Sequence, residues 1–267
     1  MNLNLQVLRK ECEVHLWKYC LTKSEPEIST RYLSKEERSR SARLLRDEDR
    51  ERFNKVHTFL KKVLQQYTHL PPEEIQFVAQ RNNKPVLQSD HSHPPVNFSL
   101  SYRGNYALLA ISNSPFIGVD VERTKPVNAI SSFADNYFSP AEKKKIVEPV
   151  TKASQLSLLY TFWTMKEALI KSLSVGFARA IKGYDLSPFL NDSYHKPHFD
   201  PEHTWHIDRI PMRRSYKAAI AVRSEKVNCS LFDYDTIQVQ SLQQPPHHLV
   251  HKPGALVVGN ALPTRHV

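Results

Sequence analysis

The sequence predicts an α+β fold made of two similar halves. Three observations carry this. Ser34-Lys-Glu-Glu37 and Ser139-Pro-Ala-Glu142 share the S-x-x-E spacing of a helix-opening capping box. Each is followed by a long stretch whose apolar residues recur at helical spacing. Each such stretch is followed by short β-branched, aromatic or alternating runs of strand character. A chain of 267 residues that is 40% hydrophobic can bury one large core or two smaller ones, so two packed halves are affordable. The expected division is 1–114, 115–224 and an extended or disordered tail over 225–267, where the composition turns to Gln, Pro and His, as in Gln243-Gln-Pro-Pro-His-His248. Residue-for-residue identity between the halves is slight, so the duplication is read from the order of elements.

In chain order, Glu13 to Leu21 has the content of a strand, and Ser34 opens a helix. From Asp49, the residues Phe53, Val56, Phe59, Leu60, Val63, Leu64 and Tyr67 form the stripe of a helix that should pack on a sheet; Pro71-Pro72 ends it. Ile75 to Val78 is extended, and Asn82-Asn83 reads as a turn before Lys84-Pro85. Val96 to Tyr102 alternates, as an outer strand does, while Tyr106 to Ile111 is nearly all apolar, as a buried one is; Arg103-Gly104-Asn105 turns between them. Ile117 to Glu122 is the next strand. Ser139 opens a helix, an amphipathic helix runs from about Leu156 to Leu173, and strands are expected at Tyr184 to Leu186, Trp205 to Ile210 and Tyr216 to Val222.

Composition excludes several classes. Eighteen prolines against six glycines, with no G-x-G-x-x-G and no G-x-x-x-x-G-K-[ST], leave any phosphate to be held by side chains. Arg9, Lys10 and Glu11 precede any long apolar run, and no stretch approaches a membrane span, so no signal peptide and no membrane are expected. Cys12, Cys20 and Cys229 form no C-x-x-C, which fits reduced thiols and a cytoplasmic location. The net charge of +10 favours an anionic partner without choosing among nucleic acid, membrane surface, acidic protein and phosphorylated cofactor. His91, His93, His247, His248 and His251 lie in polar segments with no cysteine pair, and a zinc site is not expected there.

Two segments carry chemistry. In Ile117 to Glu122 one parity is Ile117, Val119 and Val121, and the other is Gly118, Asp120 and Glu122, so one face is core and the other holds two carboxylates. Carboxylates at that spacing repel unless a cation lies between them, and oxygen-only donors suit magnesium. An ordinary strand with a solvated acidic face has the same pattern. In the later helix, Trp163, Lys166, Glu167 and Lys171 share a limited arc; a surface Glu–Lys pair would look the same. Together, Asp120, Glu122 and Glu167 could supply metal ligands, and Lys166 and Lys171 cations for phosphate oxygens.

Gly118-Val-Asp-Val-Glu122 and Trp163-Thr-Met-Lys-Glu-Ala-Leu-Ile-Lys171 resemble the two signatures of the Sfp-type 4'-phosphopantetheinyl transferases, in the same order and at similar separation. Asn83-Lys84-Pro85, Asn97-Phe-Ser-Leu-Ser101 and the basic stretch Arg31 to Tyr67 extend the resemblance, which covers roughly Glu13 to Val222. It implies a pseudo-dimer of two α+β halves, with coenzyme A in the cleft between them and an acyl or peptidyl carrier protein docked alongside. By position it implies magnesium on Asp120, Glu122 and Glu167, Glu167 as general base and Lys171 on the phosphates, with Trp163 and Lys166 shaping the site. Arg40, Arg52, Lys84, Ser101 and Tyr102 would line the nucleotide, Tyr102 standing where the family has histidine. Tyr102 can donate a hydrogen bond but adds no charge at neutral pH, so weaker cofactor binding is expected. Asn83 replaces a turn glycine, which asparagine tolerates.

The reaction so implied moves phosphopantetheine from coenzyme A to a carrier serine and releases adenosine 3',5'-bisphosphate, by a monomer whose halves pair within one chain. Two other readings compete: a non-catalytic coenzyme A or carrier-protein-binding relative, marked by Tyr102, and a basic nucleic-acid-binding protein or metal nuclease. No nucleic-acid motif accompanies the latter, and no nucleic-acid partner is expected.

Overall fold

A computed structural model describes residues 12–22, 30–79, 84–88, 96–174, 181–236 and 257–258. The first half contains β1 (Cys12–Cys20), α1 (Lys35–Ala42), α2 (Asp47–Thr68), the small hairpin of β2 (Phe77–Ala79) and β3 (Pro85–Leu87), then β4 (Asn97–Arg103) and β5 (Tyr106–Ser112). The second contains β6 (Ile117–Arg123), α3 (Ile130–Tyr137), α4 (Pro140–Val147), α5 (Lys152–Leu173), β7 (Tyr194–His195), β8 (Trp205–Arg209) and β9 (Tyr216–Arg223). The strands β10 (Val227–Asp233) and β11 (Val257–Val258) follow.

One sheet has the order β11-β10-β1-β5-β4 and the other β6-β9-β8-β7. Strand parity stacks them into four layers. Val14, Leu16, Leu108 and Ala110 of the first sheet meet Val119, Val121, Ile220 and Val222 of the second in a shared core. The opposite face of the first sheet, with Trp17, Leu109 and Ile111, buries the α2 stripe of Val56, Phe59, Leu60, Val63 and Leu64. The far face of the second sheet, with Ile207, Ala219 and Ala221, buries Phe162, Met165 and Leu169 of α5. The order is therefore helix, sheet, sheet, helix, and each sheet is apolar on both faces.

The duplication runs at one constant sequence offset. Ser34 and Ser139 cap α1 and α4 in complete capping boxes with Glu37 and Glu142. Each glutamate also pairs with a fully buried lysine of the next helix, Lys61 Nζ at 2.9 Å and Lys166 Nζ at 2.9 Å. Both long helices have 22 residues and end on left-handed residues, His69 and Ser174. The capping glutamate thus closes a helix N-terminus and neutralises a buried ammonium, which neither apolar packing nor water could do there.

Two expectations are corrected, and one helix was not anticipated. Tyr184 to Leu186 is not a strand: it lies between 3-10 turns, with the Tyr184 carbonyl accepting from Lys166 Nζ and the Leu186 N–H donating to Glu142 Oε1. Its backbone serves the buried ion pair instead of a neighbouring strand. Part of the expected tail is a strand. Val227, Cys229 and Leu231 of β10 enter the shared core, and β10 pairs in parallel with β1. The Gln-, Pro- and His-rich stretch behind it dominated the composition. Helix α3, unannounced by the sequence reading, packs Phe133 and Tyr137 against Trp163. Asn83 and the five histidines named above lie outside the described residues. Among the described residues no helix is long and apolar enough to cross a membrane, and Cys12, Cys20 and Cys229 are free thiols.

Candidate active site

The site begins with a glycine. A Cβ at Gly118 would stand 1.8 Å from the carbonyl oxygen of Ala168, so only glycine lets the α5 backbone lie directly on β6. That approach brings Glu167 and Lys171 over the face of β6 that carries Asp120 and Glu122. Lys171 Nζ donates to Asp120 Oδ1 at 2.7 Å and to the Val119 carbonyl at 3.2 Å.

The carboxylates perturb one another. Burial raises the Glu167 carboxyl to about 7; the Asp120 charge adds to this, Lys171 opposes it, and Glu122 adds further. Burial also raises Glu122, against the pull of Arg103 and with the push of Asp120. Asp120 is 4% exposed, and its Oδ2 has no hydrogen-bond partner. A buried, unpaired carboxylate oxygen beside two half-buried carboxyls is costly unless a cation joins them.

The first half contributes the other wall. Ser99 and Ser101 of β4 accept from the N–H groups of Val119 and Val121, so hydroxyls bridge the edges of the two sheets. Ser101 Oγ also donates to Asp120 Oδ1 at 2.8 Å. Lys84 Nζ donates to the Ile117 carbonyl at the head of β6, and burial lowers its pKa. Asp120, Glu122, Glu167, Lys171, Ser101 and Lys84 are therefore brought together along β6, at the seam between the halves.

Four candidates lie elsewhere. Tyr102 is opposite Ala107, on the face of Phe98 and Leu100 that is turned toward α2, away from Ser101. Lys166 is fully buried, held by Glu142 and Tyr184, and its expected contact with phosphate is corrected: one helical step places it against α4 and the turn behind the helix. Arg40 lies over the Phe53 ring and Arg52 pairs with Asp49, so neither touches the carboxylates. Sequence reasoning missed Arg103, whose Nε is 3.0 Å from Glu122 Oε2. The signal was present in the alternation Ser99, Ser101, Arg103, but the turn that follows drew Arg103 into a loop.

Magnesium can be tested against this geometry. Among the described residues no group of three His, Cys, Asp or Glu side chains stands in metal-holding geometry. Lys171 and Arg103 instead occupy one oxygen each of Asp120 and Glu122. The donor set nevertheless fits a hard cation: it is oxygen-only, it includes the unpartnered Asp120 Oδ2, and burial together with the neighbouring carboxylates pushes two of its carboxyls up.

Comparison with known proteins agrees with the site. Residues 116–221 match the 4'-phosphopantetheinyl transferase superfamily, and residues 17–114 match the family described as 4'-phosphopantetheinyl transferase, N-terminal. The chain is 29% identical over 169 residues to the 4'-phosphopantetheinyl transferase HetI of Nostoc sp., covering 62% of this chain and 71% of that one. It is 26% identical to the 4'-phosphopantetheinyl transferase Sfp of Bacillus subtilis over the same shares. It is 23% identical to the human L-aminoadipate-semialdehyde dehydrogenase-phosphopantetheinyl transferase, over 73% of this chain and 69% of that one. With both halves matched and the two signature segments meeting at one seam, the chain belongs to the 4'-phosphopantetheinyl transferase superfamily.

Proposed function

We propose that this protein transfers the 4'-phosphopantetheine group of coenzyme A to a serine of an acyl or peptidyl carrier protein and releases adenosine 3',5'-bisphosphate. The observation that carries the reading is Glu167: a carboxyl raised to about 7, on α5, directly over Asp120 and Glu122 of β6. Asp120, Glu122 and Glu167 would hold magnesium, which when bound neutralises and aligns the coenzyme A diphosphate. Glu167, directly or through a water, accepts the proton from the carrier serine. The serine oxygen then bonds to the phosphorus that bears pantetheine, the bond from that phosphorus to the bridging oxygen breaks, and its electrons leave with the nucleotide bisphosphate. Lys171, already on Asp120, is placed to meet phosphate charge, and Ser101 and Lys84 hold the β6 edge against which the cofactor lies. Phosphoryl transfer asks mainly for alignment and charge neutralisation, so these groups suffice without a covalent enzyme intermediate.

Because the two halves complete one site within a single chain, the proposed working form is a monomer; the free thiols favour a cytoplasmic location. Intact-mass analysis of an apo carrier protein, incubated with this protein, coenzyme A and magnesium, tests the proposal. A gain of one phosphopantetheine, abolished by a chelator, is expected. Coenzyme A binding with no gain on any carrier class would replace it with the non-catalytic reading.

A further inference from the structure

The sheet seam holds a cation that the proposed reaction has not used. On β4, Ser99, Ser101 and Arg103 lie opposite Ala110, Leu108 and Tyr106, residues of the face turned toward the second half. The two serines bond to β6 backbone, and Arg103 continues the row onto Glu122, Nε to Oε2 at 3.0 Å. Tyr102, between them, faces α2. Arg103 is also not enclosed: its side chain is 55% exposed, and it ends the strand next to Gly104, whose backbone is left-handed. A guanidinium on Glu122 and a cation held by Glu122 share one carboxylate, and the two positive charges repel at that range. An arginine fork released there would find its best new partner in a phosphate.

Resting on the proposed reaction, we propose that Arg103 is a phosphate-binding residue of the coenzyme A site: paired with Glu122 before magnesium binds, it turns onto the coenzyme A diphosphate when Glu122 passes to the metal. It is thereby the positive group of β4, a role that the orientation and neutrality of Tyr102 deny to its neighbour. Glu122 is kept charge-paired at each stage, and metal entry is coupled to phosphate recognition.

Titration calorimetry on the full chain tests this with two ligands, magnesium alone and coenzyme A at saturating magnesium. Arg103→Gln is expected to bind magnesium more tightly, roughly threefold to tenfold, because a competing cation is gone. The same variant is expected to bind coenzyme A roughly tenfold more weakly, through loss of a charge-assisted hydrogen bond. Arg103→Lys, which keeps the charge without the fork, should fall between Arg103→Gln and the unmodified protein for both ligands. Thermal melting should show all three equally folded, since the side chain is largely exposed. Unchanged affinities in Arg103→Gln, or weakening of both ligands together, would overturn the inference and leave an ordinary surface ion pair. Tighter magnesium with unchanged coenzyme A would overturn the phosphate role. If the unmodified protein binds no coenzyme A at saturating magnesium, the proposed function falls, and the inference with it.

Discussion

At the residue scale the decisive group is Glu167, whose carboxyl is raised to about 7 by burial first and by the neighbouring charges of Asp120 and Glu122 second. Its folded pKa lies above the ordinary value of 4.5, so the folded state holds the proton more tightly than the unfolded one. The associated stability is full below about pH 4.5 and is lost as pH rises to about 7. In chelator, the Tm of the protein should therefore fall across that interval, and Glu167→Gln should remove much of the fall; magnesium should raise Tm at neutral pH through its affinity for the folded site. The same substitution should lower transfer to carrier protein by about 10²–10⁴-fold, as read by intact mass, since it removes the base. Near-normal turnover would take Glu167 out of the mechanism. These carboxylates were legible in the sequence because strand parity and helical spacing already grouped them. Arg103 was not, because its relevance depends on β4 lying against β6.

At the element scale, the contact of α5 with β6 sets the geometry. Gly118→Ala would place a methyl group into the Ala168 carbonyl, forcing the helix off the strand and separating Glu167 from Asp120. A stability loss of about 1–3 kcal/mol is expected from urea denaturation, together with weaker magnesium binding by calorimetry; an unshifted midpoint would show that the helix is not seated on the glycine. The two capping boxes make a second prediction. Glu142→Gln should cost about 3–5 kcal/mol, because it leaves Lys166 buried without its partner charge. Combining it with Lys166→Met should recover most of that loss in the same denaturation assay, since replacing both members of a buried pair is far cheaper than breaking it. Both boxes were visible as S-x-x-E spacings. Their second task was not: each glutamate finds its lysine on the following helix, beyond the reach of local spacing.

At the scale of the whole molecule, two helix–sheet layers face each other, and the first sheet is completed by a strand that follows the second half. Strand β10 pairs with β1 over Cys12 to Lys18, and Phe232 stacks on Trp17 with ring centroids 4.8 Å apart. Truncation after Ser224 should therefore leave the edge of β1 unpaired and Trp17 uncovered, giving aggregation or a much lower Tm; a truncated protein that melts like the full chain would show that β10 is dispensable. The sequence by itself determined what local periodicity can express: the capped helices, their apolar stripes, the alternation that puts Asp120 and Glu122 on one face, and the duplication of the unit. Only the tertiary structure decided that Lys166 turns into the core, that Tyr102 faces α2 while Arg103 faces the carboxylates, and that the start of the expected tail is a sheet strand. Periodicity tells which residues share a face, whereas what covers that face comes from elements far away in the chain, through burial and charge pairing that no short window contains.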